Sequence, residues 1–383
     1  MFSHRSAGKP VLIADIGDGS IGVSVVALGD SAAEILLSMR ATLPMEERTR
    51  EQAAAAIIKL LEDTTGKLLT ASAPDGTKLS APHAIYVIMR TPWTRFRTTS
   101  ADERFEEART ITKETIADQA KKALAVPSEL DRNSILEAGV LQVFLNGYPT
   151  ANPHGKRAKS ISVVAFESDI DAGMRSSIVG VFGKLLPGGV PEFHSGMRSL
   201  LTVMHEHLPD VHRFLLIDIG GTQTACAVVR KDAVTQYAAT NEGLTTILKR
   251  ITQGGLPEET LSLLRMLATD ACSTTACQAM KDSLAKAEPE LVRAFGEVFT
   301  TLAATRRLPN ACMLFAPAEL TPWLQGFFER IDFSQFTATT QPLLVETLSP
   351  EHLLDSVHWR SGVVPDAGLG IAASSVNILE RHG

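Results

Sequence analysis

No stretch of this chain approaches the roughly twenty consecutive apolar residues of a membrane-crossing helix, and no block of lysine and arginine interrupts its 383 residues. The first absence argues against a helical membrane span. The second disfavours a nucleic-acid partner, because phosphate backbones are held by clustered basic side chains. Lys and Arg total 37 against 43 Asp and Glu, a net charge of −6. Cysteine is scarce as well. Cys226, Cys272, Cys277 and Cys312 form no CxxC pair and no set with histidines at metal-ligand spacing, so reduced, mostly buried thiols in a cytoplasmic protein are expected. The first ten residues are polar and basic, but Asp15 breaks the apolar run that follows, which is not the pattern of a secretory leader.

What the chain does have is enough apolar material for a stable interior, 44% hydrophobic against 21% charged residues, and a length that suggests two or more packed units. It also has one stretch that occurs twice. Residues 11–28 read VLIADIGDGSIGVSVVAL and residues 214–229 read FLLIDIGGTQTACAVV. In each, an apolar strand enters Asp-Ile-Gly, turns through small residues and leaves as a second apolar strand. Glycines let a backbone approach a phosphate, successive N–H groups form a nest for an anion, and a strand-end carboxylate can orient a hydrated Mg²⁺. The candidate site is therefore Asp15, Gly17, Asp18, Gly19 and Ser20 in the first copy, and Asp218, Gly220, Gly221, Thr222 and Gln223 in the second, with Asp15 and Asp218 as the metal-orienting pair.

Taken in order, the first turn opens an antiparallel meander, with strands at 21–28 and 33–43 joined at Gly29-Asp30. A helix carrying Ala54, Ile57, Ile58 and Leu61 follows. The Gly/Pro/Ser-rich stretch 64–82 reads as a loop, and a strand at 84–89 ends at Arg90-Thr91-Pro92-Trp93, where Trp93 packs over the strand end. Residues 95–110 read as a charged, mobile segment, and 111–124 as an amphipathic helix. The unit 134–208, with turns at Asn146-Gly147-Tyr148 and Pro153-His154-Gly155, differs in character and reads as an inserted subdomain. The second half then repeats the opening order, with strands at 214–218, 225–229 and 234–239, a mostly helical region from 243 to 307, and a strand at 310–315. This is duplication at domain scale. The expected division is 1–133, 134–208, 209–365, and 366–383 as a final helix returning to the first domain with a short tail.

Two Asp-Ile-Gly turns flanking an inserted α/β module resemble the actin-like ATPase superfamily. The resemblance implies an α/β fold of two duplicated ribonuclease-H-like domains with an inserted α/β subdomain, with ATP and Mg²⁺ between the halves. The insertion, Phe144-Leu145-Asn146-Gly147-Tyr148, Asn152-Pro153-His154-Gly155 and Ile161-Ser162-Val163-Val164-Ala165, looks like that of the bacterial cell-division actin FtsA; the pilus-assembly protein PilM is the runner-up.

The departures from the family pattern are specific. The family's first turn continues to a lysine where this chain has Ser20, and Asp18 adds a negative charge beside the site. A like-charge contact at about 5 Å and an effective dielectric near 20 costs on the order of 3 kcal/mol before screening. The second turn lacks one glycine and ends at Ala225 in place of an aspartate. Ala316-Pro317-Ala318-Glu319 replaces a glycine pair near the adenine, and the helix that offers charges to the ribose, 260–269, carries only Arg265. Phosphate-turn geometry survives in this reading while the adenosine pocket is eroded.

Other features have plainer readings. His205 and His207 face opposite ways on a helix and do not share a metal, so with Glu206 and His212 they read as a solvated helix end. Trp93 and Trp323 read as aromatics packed at sheet ends, and residues 102–109 as a solvated charged face. The residues after the final helix carry no basic amphipathic face for lipid, so membrane attachment is expected through a partner.

The functional expectation is a cytoplasmic scaffold recruited to the inner membrane face by membrane-associated proteins, with self-association, no nucleic acid and no direct membrane segment. An FtsA-like role in cell division comes first, a PilM-like role in type IV pilus assembly second, and a small-molecule phosphotransferase third. Nucleotide turnover, if any, is that of a slow or degenerate ATPase.

Overall fold

The computed structural model describes residues 10–46, 48–207, 213–230, 233–252, 257–268, 275–318 and 320–382. The first half begins with the expected meander, β1 (Val11–Ile16), β2 (Ser20–Ala27) and β3 (Ala33–Thr42). Helix α1 (Arg50–Thr70) starts at Thr49, whose hydroxyl and the Gln52 side chain satisfy each other's backbone N–H groups in a capping box. The helix runs seven residues into the stretch read as a loop, and its buried Ile57, Leu61 and Leu68 explain why. Strand β4 (Ile85–Met89) returns parallel to β1, with Asp15 opposite Ile88.

The next segment departs from expectation. Residues 95–110 are not a loose charged segment: β5 (Thr94–Thr110) is a long strand with exposed residues at alternating positions, the pattern of a sheet with one wet face. Helix α2 (Lys113–Leu124), β6 (Ile135–Leu145), β7 (Tyr148–Pro149) and β8 (Arg157–Ile170) complete this unit. Its sheet has the order β5-β8-β6-β7, and Asn146 and Gly147 turn from β6 to β7 with positive φ. The inserted sheet therefore spans 94–170 and not 134–208. After it, α3 (Ala172–Leu185) packs on α1, and β9 (Pro191–Ser195) joins β4 in the first sheet. Helix α4 (Gly196–His207) leads toward the second half.

That half repeats the plan with β10 (Arg213–Ile219), β11 (Thr224–Arg230) and β12 (Ala233–Thr240). Helices α5 (Leu244–Thr252), α6 (Pro257–Ala268) and α7 (Thr275–Ala303) precede β13 (Ala311–Phe315), α8 (Thr321–Arg330) and β14 (Leu344–Thr347). A short β15 (Val357–Trp359) crosses back to pair with β3, and α9 (Ala367–His382) packs on β1 and α4. The sheet orders are β15-β3-β2-β1-β4-β9 and β12-β11-β10-β13-β14. Each contains the same block, a three-stranded meander with a fourth strand parallel to its first, so the duplication read from the sequence is structural.

Each half has its own core. In the first, Leu12, Ile16, Val23 and Val87 face α1 and α3, while Val11, Ile13 and Ile88 face α9. In the second, Phe295, Phe299, Phe327 and Phe328 pack among α7, α8 and the sheet. A further cluster joins them, with Phe96 and Phe166 of the insertion against Leu216 and Val234 of the second sheet and Ile371 of α9. Among the described residues no helix is long and apolar enough to cross a membrane. The cysteine expectation is half corrected: Cys226 and Cys312 are free, buried thiols, but Cys277 is disulfide-bonded. Cys272, His212 and Glu319 lie outside the described residues.

Candidate functional site

The two Asp-Ile-Gly turns face each other across the junction of the halves. They are built alike: Gly17 N–H donates to the Ser20 carbonyl at 3.0 Å and Gly220 N–H to the Gln223 carbonyl at 2.8 Å, closing a four-residue turn between paired strands in each case. The first turn is held from outside by the Trp93 indole, which donates to the Gly17 carbonyl at 3.0 Å. The second is held by the start of α5, whose Leu244 and Thr245 N–H groups donate to the Gly220 and Gly221 carbonyls, both at 2.9 Å. The Gln223 side-chain amide donates to Asn241 Oδ1 at 3.0 Å.

The sequence left the space between the turns for phosphate. The structure fills it with Asp18. One oxygen of its buried carboxylate accepts the Gly221 N–H at 2.8 Å; the other accepts the Thr222 N–H at 2.7 Å and the Thr222 hydroxyl. The backbones come almost into contact here. A Cβ built on Gly221 would stand 2.6 Å from Asp18 Oδ1 and 2.9 Å from Gly19 Cα, so glycine is required at this approach.

Asp15 and Asp218 occupy the ends of the two central strands as expected, but each meets arginine. Arg90 follows β4, the neighbour of β1, and its Nε donates to Asp15 Oδ1 at 2.5 Å while its Nη1 lies 3.6 Å from Asp218. Arg40, near the end of β3, donates to Asp15 Oδ2 at 2.8 Å and to Ser20 Oγ at 3.2 Å, and also pairs with Asp366. Asp366 in turn accepts the Leu369 N–H at 2.8 Å near the start of α9. The Arg90 guanidinium lies 4.6 Å from the centre of the Phe315 ring, at the end of β13.

This arrangement separates the two carboxylates electrostatically. Burial acts to raise the pKa of Asp15, but Arg90 and Arg40 outweigh it and hold the group below its ordinary 3.8. For Asp218 burial dominates; Arg90 offsets only part of it, and the charges of Asp15 and Asp18 add to the upward push. Arg90 and Arg40 remain fully charged, because the pull of the carboxylates exceeds the burial that would lower them.

Sequence reasoning missed Arg40, Arg90 and Asp366. A signal existed for Arg90, which directly follows an apolar strand destined to lie beside β1. None existed for Arg40 and Asp366, 326 residues apart and joined only by the fold. After β13, where the sequence has Ala316-Pro317-Ala318-Glu319 in place of a glycine pair, the Thr321 hydroxyl donates to the Pro317 carbonyl at 3.1 Å and the chain winds into α8. Among the described residues no group of three or more His, Cys, Asp or Glu side chains could hold a metal. A separate cleft of about 460 Å³ lies at the seam of the first sheet and the insertion, lined by Arg50, Trp93, Arg95, Asp131, Asp169 and Asp171, and pairs such as Arg50 with Asp171 already neutralise its walls.

No protein-family model matches the chain, and no curated protein matches it. Solved structures do. A PilM–PilN type IV pilus biogenesis complex is matched over 97% of this chain and 99% of that one, with a TM-score of 0.56 and 14% identity. The ethanolamine utilization protein EutJ from Carboxydothermus hydrogenoformans is matched over 97% and 90%, at 11% identity and a TM-score of 0.45. A Bacteroides thetaiotaomicron protein described as having an actin-like ATPase fold is matched over 97% and 98%, at 9% and 0.40. With the repeated four-strand block, the paired Asp-Ile-Gly turns and the full-length likeness to the PilM structure, the chain has the actin-like fold, α/β, in two duplicated ribonuclease-H-like halves with an inserted α/β subdomain.

Proposed function

We propose that this protein is an actin-like scaffold that docks membrane-associated proteins of a bacterial assembly machine on the cytoplasmic side of the inner membrane, in the manner of a type IV pilus scaffold. The observation that carries the reading is the end-to-end likeness to a PilM structure whose partner is another pilus-assembly protein. The chemistry of the junction supports a docking role over a catalytic one. Phosphotransfer needs a carboxylate free to take a proton from the acceptor, whereas Asp15 is shared by two arginines and Asp18 is taken by the second turn. The ATP and Mg²⁺ implied by the resemblance would need Gly17 to Ser20 and Gly220 to Gln223 free for phosphate and Asp15 and Asp218 free for the metal, and Asp18 and Arg90 already occupy those places.

A division scaffold of the FtsA type is the second reading. It is favoured by the insertion alone, where Asn146 and Gly147 and then Gly155 adopt the positive φ values that its two quoted turns require. Affinity capture of the full chain from its native cell, after mild cross-linking, separates the readings. Recovery of pilus-machinery membrane proteins supports the first, recovery of the division polymer the second. Recovery of neither, with a phosphorylated small molecule formed from ATP, overturns both in favour of the kinase.

A further inference from the structure

An ATP-dependent actin-like protein holds its halves together through phosphates gripped by two backbone nests, so the nests must be free and the turns apart. Here neither condition is met. The Gly221 and Thr222 N–H groups and the Thr222 hydroxyl all point at one carboxylate, that of Asp18, which comes from the opposite turn 203 residues earlier in the chain. Their geometry is that of a nest on an anion. On the far side the Gly19 backbone abuts Gly221, so the only room for a phosphoryl group is the volume the Asp18 carboxylate now fills. The cation's part is also taken: Arg90 reaches from Asp15 toward Asp218, placing permanent positive charge between the two carboxylates that would orient a hydrated metal. A magnesium triphosphate therefore does not fit the residues present.

We infer that Asp18 is a resident anion: its carboxylate occupies the phosphate seat of the second turn and, with Arg90 standing in for the metal, clamps the two halves shut without a nucleotide. The like-charge penalty expected from Asp18 in the sequence is resolved by this geometry, since the donors that would have faced a phosphate face the carboxylate. The closed state is then a fixed property of the chain. A partner meets the same surface across the two halves whatever the ATP level, a requirement for a constitutive scaffold and not for a nucleotide-timed one.

The test uses the full chain and its Asp18→Gly, Asp18→Asn and Thr222→Val variants, followed by thermal melting and calorimetry with Mg-ATP and with inorganic tripolyphosphate. A ligand that binds the native state raises its melting temperature. The expected result is no shift and no binding heat for the wild type at millimolar ligand, a lower melting temperature for each variant, and a rise with tripolyphosphate for Asp18→Gly, whose seat is vacated. Wild-type binding of Mg-ATP overturns the inference, as does an Asp18→Asn protein that melts with the wild type. An Asp18→Gly protein that folds but ignores tripolyphosphate overturns the assignment of the second turn as an anion seat. If the Asp18 variants do not fold, Thr222→Val, which deletes only a hydroxyl donor, must still melt lower; equality with the wild type sinks the idea. These outcomes leave the scaffold reading untouched, because that is decided by captured partners.

Discussion

Arg90 and Asp15 meet at 2.5 Å between Nε and Oδ1, a contact between the ends of two adjacent parallel strands. Asp15 is almost fully buried and depends on Arg90 and Arg40 for its charge. Removing one partner of a buried ion pair leaves the other uncompensated and costs about 3 kcal/mol. Asp15→Asn keeps the shape and removes the charge, so Arg90 is left with only the more distant Asp218 and Arg40 with Asp366 alone. Chemical denaturation should show a loss of that order. An unchanged midpoint would mean that water reaches the cluster.

Asp218 occupies the equivalent strand end and carries the opposite expectation. Its pKa is raised, first by burial and further by Asp15 and Asp18, with Arg90 offsetting only part. The stability it contributes is full below its ordinary 3.8 and is lost as pH rises through the higher folded value. Asp15, held low, contributes stability that is present above 3.8 and is lost as pH falls through its folded value. Asp218→Asn should therefore melt a few degrees above the wild type at neutral pH, with the gain shrinking as the solution is acidified and the wild-type carboxyl takes its proton. A gain that grows toward acid, or a loss at neutral pH, would contradict the assignment.

The difference between these two aspartates marks the limit of what the sequence could say. Both turns, the meander that each one opens and the final helix were legible, because an apolar strand running into Asp-Ile-Gly is a local pattern. The paired occurrence made the fold legible as well. The long β5 was not, since its alternation of Arg, Glu and Asp with smaller residues reads as a solvated face until β8 is known to lie beside it. The contents of the junction were hidden for the same reason: Asp18 meets Gly221, and Arg40 meets Asp366, only after the two halves have closed. The disulfide at Cys277 was likewise invisible to spacing, which suggested buried thiols.

Close packing at the start of α9 gives a second mutational contrast. A Cβ on Gly368 would stand 2.7 Å from both Arg40 Nη2 and Asp15 Oδ2, whereas a Cβ on Gly180, inside α3, would meet nothing within 4 Å. Gly368→Ala should destabilise the protein by about 1–3 kcal/mol through forced displacement of the ion cluster. Gly180→Ala should instead stabilise it by about 0.5–1 kcal/mol, as expected of glycine replaced in a helix interior. Urea titration of the two variants beside the wild type checks both signs in one experiment.

Trp93 ties the first turn to the core beneath it. Its ring is buried among first-half core residues that include Ile170, and its indole N–H supplies the only side-chain bond described to the Gly17 carbonyl. Trp93→Phe keeps most of the apolar contact and deletes that donor, leaving the carbonyl without its partner; a loss of about 1–3 kcal/mol is expected. Trp93→Ala adds a cavity and should cost about 3–5 kcal/mol. If the turn positions Asp18 as described, the Trp93→Phe loss should shrink in an Asp18→Asn background, because the two changes act on one structural unit and their effects are not additive. A double-mutant cycle measured by chemical denaturation reads that coupling directly, and full additivity would show that the indole braces the strand end without acting on the turn.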